Sequence, residues 1–113
     1  MKRDMDIVRL LLLRIESLSL GDTYYTDNQE ECYHLKIMLD GKLVDGWVES
    51  DGVDGFTADI SGLTWKGHEF LDTVRNDSVW DKVKQHFKEN GVGMAIDTIV
   101  TVAIKMAGNI LKG

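Results

Sequence analysis

Proline is absent from this chain and cysteine occurs once. The first absence has no single physical reading. The second excludes an internal disulfide framework and fits a reducing compartment. A charged-then-apolar leader with a small-residue cleavage site is also missing. The chain opens directly on Met1-Lys2-Arg3-Asp4, so a cytoplasmic protein is expected. No phosphate loop, dinucleotide fingerprint or serine elbow occurs, and no internal repeat or low-complexity tract. Basic charge is short as well: thirteen Lys and Arg stand against nineteen Asp and Glu, a net of −6. Residues 1–45 carry six basic and nine acidic groups, residues 46–76 two and six, and residues 77–113 five and four. Affinity for nucleic acid depends on Lys and Arg releasing counterions from phosphates, so the middle of the chain is poorly equipped for it.

What is there is an ordinary soluble composition over 113 residues, enough for one domain with a real core. The chain is organised around Thr26–Val48. Thr26 or Asp27 caps a helix, with Gln29 or Glu30 three residues on, and the helix runs to about Asp40 and turns at Gly41. Helical spacing puts Cys32, Leu35 and Leu39 on one face with Met38 at its border, and Glu30, Tyr33, Lys36, Ile37 and Asp40 on the other.

Before it, residues 4–18 form a helix whose Ile7, Val8, Leu11, Leu12, Ile15 and Leu18 share a broad apolar face. Leu20-Gly21-Asp22 stops it, and Thr23–Thr26 is β-prone. From Asp45 to Leu63, short β-prone runs alternate with glycines and acids, which reads as a hairpin with its tip at Ser50–Gly55. Asp51 and Asp54 do not make a calcium loop, because the spacing is wrong and no Glu follows at the twelfth position. Thr64 caps a further helix with Trp65, Phe70 or Leu71, and Val74 facing inward, and Gly67 within it marks close packing on a neighbouring backbone. Asn76-Asp77 re-caps. Val79, Trp80, Val83 and Phe87 line the next helix, which Asn90-Gly91-Val92-Gly93 ends.

The last segment, Met94–Leu111, keeps Asp97, Thr98, Thr101, Lys105, Gly108 and Asn109 in one narrow polar arc. Its apolar face is wider than one packed side of a monomer needs. Asp97 and Lys105 argue against a membrane span, and the polar arc is not basic enough for a membrane surface. The helix is thus expected to touch its own core and a partner, giving a homodimer through Ile96, Ile99, Val100, Ala103, Ala107 and Ile110, with a buried central helix as the alternative.

The stretch His34–Val44 resembles the recognition-helix exit of winged-helix regulators, where a helix ends just before a buried Leu-Val that enters the wing. A closer resemblance rests on several motifs together. Met1–Asp6 with Val8-Arg9, Tyr33-His34-Leu35, Leu63–Asp72 and Arg75–Trp80 are similar to those of a mostly prophage- and phage-borne group of small proteins, domain of unknown function 2513. This chain departs from relatives at Asp40-Gly41-Lys42-Leu43, where they have an Ala-Gly-Leu-type exit. The resemblance implies a mobile-element origin and a winged-helix-like fold, and no established activity.

The expected fold is thus α+β and mostly helical. It has a winged-helix-like core over residues 1–76 with a short β-hairpin wing, and a C-terminal helical extension over 77–113, in one compact domain. No enzyme is expected. His34, His68 and His86 are scattered, Cys32 sits on an apolar face, and Cys32 with His34 lacks a third metal ligand. Neither cofactor nor metal is expected. What remains is binding. In the first reading the chain is a transcriptional regulator: Tyr33, His34, Lys36 and Ile37 reach DNA bases while Arg3, Arg9 and Lys42 hold phosphates. In the second it is an acidic interaction module that meets a host or phage protein through Tyr33, Ile37 and Trp47.

Overall fold

The computed structural model describes residues 1–90 and 95–112, the side chains of 89, 90 and 110–112 excepted. In chain order the elements are α1 (Met5–Glu16), β1 (Tyr24–Thr26), α2 (Gln29–Asp40), β2 (Val44–Ser50), β3 (Phe56–Leu63), α3 (Trp65–Val74), α4 (Asp77–Asn90) and α5 (Ile96–Lys112). The fold is mixed α+β, mostly helical, with a three-stranded antiparallel sheet in the order β1-β3-β2. The chain packs as two compact units, Met1–His68 and Glu69–Gly113, with the division inside α3.

In the first unit, Asp4 caps α1 by accepting from the Asp6 amide, and Val8, Leu11, Leu12 and Ile15 are buried. α1 and α2 pack on one another and on β3. Here the core is closed by Cys32, Leu35 and Met38 of α2, Leu43 and Val44 behind it, and Ala58 and Ile60 of β3. α2 starts later than the sequence suggests. Asn28 is the cap, its side chain accepting from the Glu31 amide, because Thr26 is held in β1 opposite Ala58.

Gln29 then does what a longer β1 would do, two residues past Thr26. Its side-chain amide accepts from the Phe56 N–H at 2.8 Å and donates to the Phe56 carbonyl at 3.0 Å, adding one rung to the β1 side of β3.

The hairpin is β2–β3, and its tip is tied by Asp51. The Asp51 N–H donates to the Gly55 carbonyl, and its carboxylate accepts from the Val53 and Gly55 amides. Near the base, Asp45 faces Gly62 and Gly46 faces Ile60, which leaves Ser61 as a bulge. The bulge shifts side-chain parity along β3, so Leu63 returns to the side of Ile60 and faces Val44. At Gly46, φ is +143° and a Cβ would overlap the Asp59 carbonyl oxygen, so only glycine fits.

Thr64 caps α3 as expected: its hydroxyl accepts from the Gly67 amide and donates to the Lys42 carbonyl at 2.6 Å. Gly67 lies against the Leu43 carbonyl, which a Cβ would overlap. Trp65 is a correction. It is 85% exposed, because the first position of α3 points away from the side that carries Phe70, Leu71 and Val74.

In the second unit Asn76 caps α4 through the Ser78 and Val79 amides, and α4 packs on α5. Val79, Trp80 and Val83 are buried and Phe87 half-buried. The expected stop at residues 91–93 lies outside the described residues.

Candidate functional site

α2 and the hairpin enclose an apolar groove of about 480 Å³. Tyr33 and Ile37 form its helical wall, Val48 and Phe56 its strand wall, and Met1 and Cys32 close it, with Gln29, Lys36 and Asp40 on the rim. The local reasons are simple. Tyr33 and Ile37 are four apart and share a helical face, and the Gln29–Phe56 rung holds the hairpin against the start of that face. Phe56 stays 48% exposed. Lys36 and Asp40 offset one another in charge on the same wall.

Of the four side chains expected to present the α2 surface, Tyr33, Lys36 and Ile37 come together in this groove and His34 does not. His34 is fully buried. Its Nε2 accepts from the Asp4 N–H at 2.9 Å, and its Nδ1 lies 2.7 Å from the Glu30 carbonyl, to which it donates. This imidazole therefore stitches the start of α1 to α2, and neither nitrogen is left for a ligand. A helical wheel places it on an exposed edge. The Asp4 bond ties the chain just before α1 to that edge.

Arg3 and Arg9 are half-buried and already hold partners within the chain. Lys42 is exposed at the α2 exit, with a left-handed φ of 62°.

The chemistry around the groove is quiet. Cys32 is buried, its Sγ 3.6 Å from the Phe56 carbonyl and 3.7 Å from the Thr26 carbonyl. Burial pushes its thiol up from the usual value, and Glu31 and Asp27 add to this. Such a thiol is a poor nucleophile at neutral pH. Behind α2, the Tyr24 hydroxyl donates to Glu31 Oε1 at 2.6 Å and accepts from Arg14 at 3.2 Å, joining α1, β1 and α2. Burial, then the bond to Glu31, raises the Tyr24 phenol, and Arg14 opposes them. Among the described residues no three His, Cys, Asp or Glu side chains gather as metal ligands, and no helix is long and apolar enough to cross a membrane.

The residues named for a dimer helix lie on α5. Ile96, Ile99, Val100, Ala103 and Ala107 are buried within the single chain, because all five fall on the side of α5 opposite its exposed polar arc. They are core residues here, and the Ile110 side chain lies outside the described residues.

A family model described as "Hypothetical protein (DUF2513)" matches residues 2–93. The chain belongs to this family. The match covers every groove residue but Met1 and nearly the whole of unit one, so the DUF2513 scaffold includes the α2 and hairpin walls described above. A relative in Haemophilus influenzae strain Rd, described as an uncharacterized protein, is 33% identical over 110 residues, 91% of this chain and 92% of that one. No solved structure matches the chain.

Nothing in the composition pointed to Met1 or Phe56 as groove residues. They are remote from α2 in sequence, and only the hairpin register and the His34–Asp4 bond bring them there.

Proposed function

We propose that this DUF2513 chain is a non-catalytic, regulator-class binding protein on a winged-helix-type core, and that its α2–hairpin groove takes apolar side chains of a protein partner. The observation that carries the reading is the groove itself. The surface that would face DNA is an apolar slot of about 480 Å³ between Tyr33 and Ile37 on one side and Val48 and Phe56 on the other. Slots of this size with apolar walls suit anchor side chains, which supply most of the affinity at protein interfaces.

The winged-helix reading is supported by the passage from α2 through Leu43–Val44 into a hairpin, and by a first strand that completes the sheet beside β3. The second helix usual in that fold is missing between β1 and α2. DNA is disfavoured as the ligand because Lys36 is the sole cation on the groove-facing side of α2 and Asp40 stands beside it, while Arg3 and Arg9 are engaged within the chain. The resemblance to phage-borne proteins supports a mobile-element setting, with a host or phage protein as the partner.

Two measurements test this. Titration with random duplex DNA from about 50 mM salt is expected to show no binding, and binding with a steep salt slope would return the groove face to DNA. Nile red, an uncharged apolar probe, is expected to bind the full chain saturably and to lose that binding in Ile37→Glu with the fold retained. Equal binding to both proteins removes the groove as the site.

A further inference from the structure

The sheet has a second face, away from α1 and α2, and the register lines up three side chains across it. Tyr25 faces Asp59 from β1, and Trp47 faces Asp59 from β2. All three lie on the same side, because Ala58 and Ile60, the neighbours of Asp59 in β3, are fully buried on the other. Directly opposed residues hold their Cβ atoms about 4.5–5.5 Å apart, so the Asp59 side chain is flanked by those of Tyr25 and Trp47. Tyr25 is 60% and Trp47 45% exposed. Asp59 Oδ1 is buried and has no hydrogen-bond partner. Buried carboxylate oxygens ordinarily have a donor. Glu49 and Thr57 make the next row, and neither row carries a Lys or Arg.

We propose that this row is a binding site for an arginine side chain of a protein partner. A guanidinium is flat, stacks on aromatic faces and carries paired donors that match a carboxylate. Rotation of the two exposed rings opens the slot, and the guanidinium then supplies the donor that Oδ1 lacks. A metal ion would find a single carboxylate here, too few ligands to hold it. The charge also matches: the face is acidic and the chain carries −6 overall, so a basic partner surface is steered toward it. The site lies on the opposite side of the sheet from the groove and stands whether or not the groove is filled.

The test uses the full-length ¹⁵N-labelled chain and N-acetyl-arginine amide. The Trp47 indole N–H resonance, assigned by its loss in Trp47→Phe, is expected to shift saturably in the millimolar range. N-acetyl-citrulline amide, of similar shape without the charge, should not bind, and N-acetyl-lysine amide should bind more weakly. Asp59→Asn is expected to weaken the arginine probe at least about tenfold, and Tyr25→Ala, on an exposed side chain, gives the same direction if the Asn variant does not fold. Non-saturating shifts, equal binding of citrulline or lysine, or an unchanged affinity in both variants overturns the proposal.

Discussion

Replacing Gly67 with alanine sets two physical effects against each other, and the structure says which wins. Alanine is the better helix former by about 1 kcal/mol, so propensity alone makes Gly67→Ala stabilising. The new Cβ, however, would overlap the Leu43 carbonyl oxygen and lie 3.0 Å from its carbon. That carbonyl is not free to move. It accepts from the Thr64 amide at 3.0 Å, and Leu43 itself is fully buried. Overpacking costs about 1–3 kcal/mol, and a backbone obstacle belongs at the upper end. Bending the Thr64 bond adds up to about 1 kcal/mol. The net expectation is a loss of about 2 kcal/mol, or about 8 °C in Tm for a chain of this size. Thermal and urea unfolding followed by circular dichroism measure it directly. A Tm equal to or above that of the parent chain would refute the close-packing argument and return Gly67 to an ordinary helix position.

Gln29→Ala removes both amide bonds to Phe56 and is expected to cost about 1–2 kcal/mol, with faster hydrogen exchange at the Phe56 amide; unchanged exchange there would show that the rung is not held in solution. Tyr24→Phe deletes the hydroxyl between Arg14 and Glu31 and should cost about 1 kcal/mol near neutral pH. Because the folded phenol titrates above its usual 10.0, its neutral form is the one the fold favours. That contribution is complete below 10.0 and lost as pH climbs through the raised value, so the gap in urea midpoint between parent and variant should stay constant up to pH 10.0 and narrow above it. A gap that widens with alkalinity contradicts the assigned direction.

The elements that sequence made legible are those set by near neighbours. The apolar spacing of α1, the Thr64 and Asn76 caps, the hairpin with its tip at 50–55 and the polar arc of α5 depend on residues a few positions apart. Gly67 was also readable, since a glycine that weakens its own helix is kept where a neighbouring backbone leaves no room for a Cβ. What failed was long-range. His34 looks exposed on a helical wheel, yet it is fully buried and accepts from the Asp4 N–H, thirty residues away in sequence. Trp65 reads as core by type, yet its place at the start of α3 exposes it. The Tyr25–Asp59–Trp47 row could not be read at all, because it exists only once the β1-β3-β2 order and the register are known.

β2 lies at the edge of the sheet, with seven residues running from Val44 to Ser50 and no further strand beyond it among the described residues. An edge of that length invites another chain to pair with it and extend the sheet without limit. Here the Ser61 bulge of β3, opposite Asp45 and Gly46, twists the strand near its start, and β2 carries the exposed carboxylates of Asp45 and Glu49. A second copy approaching this edge in register would set like charges against each other along a strand that does not run flat. The acidity that starves the hairpin of phosphate contacts thus has another effect: it opposes the pairing of this edge with a second copy.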